Sequence, residues 1–217
     1  MDAFILTRFN CKQREVERGR PKDRMKERQF DEGYLTRRIK IMQELTSRSV
    51  KAQTVKPDGW LVFVQEGTPA HYIQAISAMG GQVVTVADSE TDVVAAGRSL
   101  PAGATTINLD SDDALARDFV HRVTRIPKPG RYVFLRGARL RLDPPFYWTT
   151  RSETNPFVID VGGNVFRFNH GHAIRSVIDV HRVMWAQTIH TDCIDNGVRL
   201  DRPRRSRHEP HILNLFR

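Results

Sequence analysis

"TTINLDSDDALARDFV", residues 105–120, sets a short apolar run, Thr106 to Leu109, against three carboxylates, Asp110, Asp112 and Asp113. An apolar series at helical spacing follows, with Leu115, Phe119 and Val123 at i, i+4 and i+8. The pattern reads strand, acidic turn, helix. Like charges this close repel one another, and a cluster at the carboxyl end of a strand is tolerated when a divalent cation neutralises it. Hard oxygen donors on a turn suit Mg²⁺ or Mn²⁺. Asp110 and Asp112 are spaced to converge on one side of an extended strand end, while Asp113 is placed to cap the following helix and to favour its N-terminal dipole. The alternative is that all three only cap and solvate the turn.

Upstream of this turn, strand and helix patterns alternate. "AFILT" at 3–7 reads as a buried strand closed by the polar "RFN". Leu35, Ile39, Met42 and Leu45 recur at helical spacing and predict an amphipathic helix over 36–53 with Thr36 as its N-cap. "WLVFV" at 60–64 is a second strand, followed by a helix with Thr68 as N-cap, Pro69 at the first helical position and glycines at its stop. "QVVTVA" at 82–87 is a third strand. This alternation predicts an α/β sheet with parallel strands, which binds ligands at the carboxyl ends of those strands. Residues 11–33, charged and poor in apolar side chains, read as a mobile excursion. Downstream, "RYVFL", "FVIDV" and "NVFRF" predict further strands or hairpins, a helix is expected over roughly 177–189, and "RLDRPRRSR" reads as an exposed tail.

A chain of 217 residues with 40% hydrophobic residues has enough apolar side chain for a real core, which excludes disorder over most of its length. The net charge of +9 is terminal: residues 8–56 hold 15 Lys and Arg against 7 Asp and Glu, and residues 199–217 hold 6 against 2. Such a field attracts polyanions, nucleotides or anionic membrane surfaces, or serves only to solvate the surface. No apolar run approaches the length of a membrane span, and "MDAFILTRFN" lacks the marks of a signal peptide, so a soluble cytoplasmic protein is expected. Cys11 and Cys193 form no metal-ligand spacing and are expected as reduced thiols.

"FILTRFN", "SVKAQT", "WLVFVQEGTP", "LDSDDAL", "NPFVIDVGG" and "MWAQTIHTDCIDNGVR" occur in that order and span most of the chain. On these segments the sequence resembles the bacterial putative rhamnosyltransferase family and, through the D-x-D spacing of "LDSDDAL", glycosyltransferases of GT-A fold. The resemblance implies an α/β, Rossmann-like mixed sheet flanked by helices with a smaller strand-rich acceptor-side half. It divides one domain, 1–217, into a nucleotide-sugar-binding half (1–125), an acceptor-side half (126–198) and a basic tail (199–217). Two departures stand out: Asn108 replaces a basic residue before the acidic turn, and Gln65–Glu66 stands where the family carries an acid after the second strand.

The implied activity is metal-dependent transfer of a sugar, with rhamnose as one candidate, from a nucleotide diphosphate sugar to a hydroxyl of a saccharide or other acceptor. Thr7, Arg8, Glu66, Asp110 and Asp112 are then the candidates for donor contact. Asp110 and Asp112 would hold Mn²⁺ or Mg²⁺, with His190 of "MWAQTIH" closing the metal shell ahead of His170 in "NHGH". A metal on the diphosphate would neutralise charge that grows as the glycosidic bond breaks. Asp160 interrupts an apolar strand and is a candidate base for the acceptor hydroxyl, with Glu153 as competitor. Trp148 and Trp185 are placed either to stack on a sugar or to fill the core. Two other functions fit the composition: a nucleic-acid-binding protein or metal-dependent nuclease, and a catalytically inert subunit of the same fold.

Overall fold

The computed structural model describes residues 1–11, 29–87, 91–142, 145–153, 155–167, 176–189, 214 and 216. Most of the excursion at 11–33, with His170, His190, Cys193 and the basic tail apart from two isolated positions, lies outside the described residues.

The described chain is mixed α/β. Strands β1 (Ala3–Arg8), β2 (Gly59–Gln65), β3 (Gln82–Val86) and β4 (Thr105–Asn108) are mutually parallel neighbours in the order β4-β1-β2-β3. The strand pattern of the first half is therefore as expected. Alternate residues divide the sheet into two apolar faces. Ile5, Val62, Val64 and Ile107 pack with Leu35, Met42, Ile76 and Phe119, whereas Leu6, Leu61, Phe63 and Val86 pack with Val93 and Val165. Burial on both faces explains why β2 reads as one continuous apolar run.

The first long helix begins earlier than the periodicity predicts. Helix α1 (Glu32–Ile41) passes through a π-helical turn, Met42–Thr46, into α2 (Ser47–Lys51). Its N-cap is Asp31, whose carboxylate accepts from the Tyr34 amide at 2.7 Å; Thr36 lies within the helix. Helix α3 (Ala70–Ala78) starts one residue later than expected, with Pro69 in the cap position, and stops at Gly80, whose φ of 95° suits glycine. Helix α4 (Thr91–Arg98) lies between β3 and β4.

Three further segments differ from the pattern of their sequence. The acidic turn leads into a two-residue strand, β5 (Ala114–Leu115), before the short helix α5 (Phe119–Val123), so Asp113 caps no helix. The expected helix over 177–189 is instead two strands, β10 (Ser176–Ile178) and β11 (Trp185–Ile189). Within "NVFRF", residues Val165–Arg167 form a single 3₁₀ turn, not a strand. Strands β6 (Gly130–Phe134) and β9 (Ile159–Val161) join the main sheet, which runs β10-β6-β9-β4-β1-β2-β3. Strands β7 (Arg136–Leu142) and β8 (Pro145–Arg151) form a second sheet in the order β5-β11-β7-β8. The two sheets exchange segments across residue 125: β5 belongs to the second, while β6, β9 and β10 complete the first.

Candidate active site at the acidic turn

Strand β4 ends at Asn108, and Asp110, Ser111, Asp112 and Asp113 follow at the carboxyl edge of the parallel strands. The long helix holds this turn along its length. Arg38 of α1 donates through Nη1 to Asp112 Oδ2 at 2.5 Å and through Nη2 to Ser111 Oγ. Thr46 Oγ1 donates to the Ser111 carbonyl at 3.1 Å, and Ser49 Oγ accepts from the Leu115 amide at 3.3 Å. Gln53 bridges the segment at its end, donating to the Ala116 carbonyl at 2.9 Å and accepting from the Val120 amide at 3.0 Å. Thr46, Ser49 and Gln53 thus find partners in the backbone they position, whereas Arg38 bonds side chains of the turn.

The three carboxylates have separate fates. Asp112 is 6% exposed and ion-paired with Arg38. Asp113 is 2% exposed, and its Oδ1 accepts from the Thr188 amide of β11 at 2.8 Å, which ties the turn to the second sheet. Asp110 is half-buried. Burial, and then the charge of Asp112, push the Asp110 carboxyl above the ordinary carboxylate range, against the opposing pull of Arg8, Arg38 and a hydrogen bond from Asn108. Asp113 is pushed well above that range by burial and by both neighbouring aspartates. Burial works against the charge on Arg38, yet Asp112, Tyr34, Asp110 and Asp113 together raise its pKa. Burial is thus the first cause of both raised carboxyl values and repulsion between the aspartates the second.

Arg8, at the end of β1, is near enough to act on Asp110 electrostatically, and its guanidinium lies 4.9 Å from the Phe166 ring centroid. Glu66 follows β2 on the same edge and is exposed. Thr7 is different: it is wholly buried, and its hydroxyl accepts from the Trp60 indole at 3.0 Å, so its side chain belongs to the core. Glu153 is exposed on the turn after β8, where the neighbouring Ser152 amide bonds the Leu135 carbonyl just beyond the end of β6. Since β6 and β4 both run antiparallel to β9, Glu153 shares the edge of the acidic turn.

Asp160 does not. It pairs with Thr106 and Arg131 within the sheet, and its carboxylate lies 3.8 Å from Arg131 Nε. Four residues, or roughly 13 Å of strand, separate the Thr106 level from Asp110. Trp185 is buried, stacked on Phe157 at 5.0 Å, with its indole donating to the Phe134 carbonyl, whereas Trp148 is half-buried on β8. Cys11 is buried beneath β2, where burial pushes its thiol up to about 12. It is an unreactive core thiol. Sequence reasoning missed Arg38: among many basic residues of the N-terminal quarter, nothing in the periodicity marks the one whose helix face meets the turn.

Among the described residues no group of three or more His, Cys, Asp and Glu is arranged to hold a metal ion. The carboxylates of Asp110 and Asp112 are hard oxygen donors, the chemistry that Mg²⁺ or Mn²⁺ takes beside substrate phosphates, and Asp112 already accepts from Arg38. Burial first, and the Asp112 charge second, disfavour the ionised form of Asp110. Asp113, spent on Thr188, is not part of that pair.

The acidic turn, Arg8 and Arg38 thus come together at the carboxyl edge of the parallel strands, the edge at which open α/β sheets bind their ligands. The chain belongs to the family described as putative rhamnosyl transferase, whose model matches residues 2–130. No curated protein matches it. Among solved structures it is similar to S. aureus TarS 1–349, with a TM-score of 0.48, 9% identity, and coverage of 87% of this chain and 60% of that one. It is also similar to S. aureus TarS, at a TM-score of 0.46 and 9% identity over 87% and 37% of the two chains. A third structure is TarS 1–349 in complex with UDP, at 0.44 and 9% over 87% and 61%. The chain thus spans between 37% and 61% of those chains. At these scores the likeness says nothing about activity.

Proposed function

We propose that this protein transfers a sugar from a nucleotide diphosphate sugar to an acceptor hydroxyl, with the diphosphate bound at the acidic turn. Membership of the family supports the reaction class, and its description makes rhamnose the first sugar to test. The observation that carries the reading is the juxtaposition of Asp110 and Asp112 with Arg8 and Arg38 at the carboxyl edge of the parallel strands. Asp110 and Asp112 would hold Mg²⁺ or Mn²⁺, which would supply charge stabilisation to the leaving diphosphate. Arg8 brings a fixed positive charge to the same anion. Arg38 holds the Asp112 carboxylate in place through its ion pair. Glu153, on the same edge, is the better placed of the two proposed bases to accept the acceptor's proton; Asp160, paired with Arg131, serves the sheet. The acceptor is a saccharide or another hydroxyl compound, and the basic termini could bring the protein to an anionic surface that carries it.

One observation favours a second arrangement of the same function. The Arg38 guanidinium already neutralises Asp112, so donor binding could rely on arginine charge without a divalent ion. Calorimetric titration with nucleoside diphosphates, with Mn²⁺ or with a chelator, separates the two. Binding that depends on Mn²⁺ supports the metal-assisted reading. Equal affinity in both conditions leaves the arginines as the cations, and failure of every nucleoside diphosphate to bind in either condition overturns the donor site.

A further inference from the structure

A cavity of about 520 Å³ lies on the face of β6 and β10 beside α5 and shares no lining residue with the acidic turn. Its floor is apolar: Ile126 and Phe134 are buried, and Ile178 packs partly buried against the same core. Its rim is basic, carrying His121, Arg125 and Lys128, the last two exposed. No carboxylate lines it among the described residues. Arg122 is also at the rim but is already engaged by Asp118 at 2.6 Å, in company with Arg182. The lysine-bearing loop is held in shape by Tyr132, whose hydroxyl donates to the Lys128 carbonyl at 2.9 Å. The Phe134 ring is fixed edge-on against Phe119, with centroids 5.0 Å apart.

We propose that this cavity binds a phosphate ester of an apolar alcohol, with the hydrocarbon on the Ile126–Phe134–Ile178 floor and the phosphate between Arg125 and Lys128. The volume suits a small-molecule body, and the floor offers it no hydrogen-bond partner. A plain alcohol would leave the rim cations unmatched, and a bare phosphate would leave the floor wet. Arginine and lysine together favour phosphate, which one can meet through paired N–H donors and the other as a point charge. The ester could be a free metabolite or the headgroup end of a lipid, since both present this chemistry.

The test uses the full chain and hexyl phosphate, with hexanol and inorganic phosphate as controls, by isothermal calorimetry. Hexyl phosphate should bind more tightly than either control by about tenfold or more, and the Arg125→Ala/Lys128→Ala variant should lose about tenfold or more of that affinity. Both residues are exposed, so the variant should retain the wild-type melting temperature. Enlarging the floor side chain by Ile178→Phe should weaken hexyl phosphate without weakening inorganic phosphate. Co-sedimentation with phosphatidic acid vesicles, lost in the double variant, would assign the ester to a lipid; hexyl phosphate binding without vesicle binding would assign it to a soluble compound. Hexanol binding as tightly as hexyl phosphate, an unaffected double variant, or vesicle binding without hexyl phosphate binding would each overturn the proposal. None of these outcomes bears on nucleotide binding at the acidic turn.

Discussion

At the scale of single residues, the decisive contact is Arg38 with Asp112. A buried pair broken on one side leaves an uncompensated charge, so Arg38→Gln should destabilise the fold by about 3 kcal/mol. If Asp112 also binds a divalent ion, millimolar Mn²⁺ should restore much of that loss in Arg38→Gln and change the wild type less. Thermal unfolding with and without Mn²⁺ checks both points, and an equal response of the two proteins would argue against metal at this turn. Asp112→Asn should lower transfer by about 10²-fold, the loss expected for one strong electrostatic contact. Asp113→Asn is a different experiment. Its Oδ1 accepts a backbone N–H from Thr188, a role that the amide oxygen of Asn can fill, and the substitution removes a carboxyl whose ionisation burial and its neighbours oppose. It should cost little transfer and leave the melting temperature unchanged or higher. Transfer assays and melting curves of the two variants distinguish the charge at 112 from the tether at 113.

At the scale of elements, the long helix and the acidic turn act as one unit. Arg38, Thr46, Ser49 and Gln53 reach residues 111–120 across a π-helical turn, which resets the side chains that share a helix face. Gln53→Ala would strand the buried Val120 amide and leave the Ala116 carbonyl with the Phe119 amide alone. A stability loss of about 2 kcal/mol is expected, measured by urea unfolding. The second sheet depends on close packing where β7 meets β11. A Cβ at Gly137 would lie 2.1 Å from the Trp185 ring, so Gly137→Ala should force Trp185 from its place on Phe157 and lower stability by about 1–3 kcal/mol. Strand β10 is tied to that sheet by charge. Arg136 donates to Asp179 at 2.6 and 3.1 Å, and Arg151 adds a contact at 3.3 Å. The Arg136 hydrogen bond, with a backbone bond from His181, holds the Asp179 carboxyl well below the ordinary carboxylate range. Its contribution is therefore present above the unfolded value of about 4 and is lost as the pH falls below it. Asp179→Asn should flatten this acid limb, seen as a smaller fall in melting temperature between pH 5 and pH 2.5 than in the wild type.

At the scale of the whole molecule, periodicity and turn chemistry alone determined the parallel strands β1 to β4, the helices that join β1 to β2 and β2 to β3, and the acidic turn at the carboxyl edge, but not α4 between β3 and β4. These features rest on local rules: apolar runs closed by polar residues, helical spacing with a glycine stop, and like charges that need a counter-ion. The same local rules misread 177–189, because the apolar spacing of a short segment fits a helix and a strand alike, and β11 is a strand only because β5 and β7 supply its hydrogen bonds. They also read Asp113 as a helix cap, since its true partner, Thr188, is 75 residues away. Tertiary structure alone decided which charges meet. Arg38 reaches Asp112 across 74 residues, Asp160 falls beside Arg131 away from the acidic turn, and α5 beside β6 and β10 leaves an apolar cavity rimmed with basic side chains. An ion pair or a cavity is a property of distance in space, and spacing along a chain fixes that distance only within one helix or one strand.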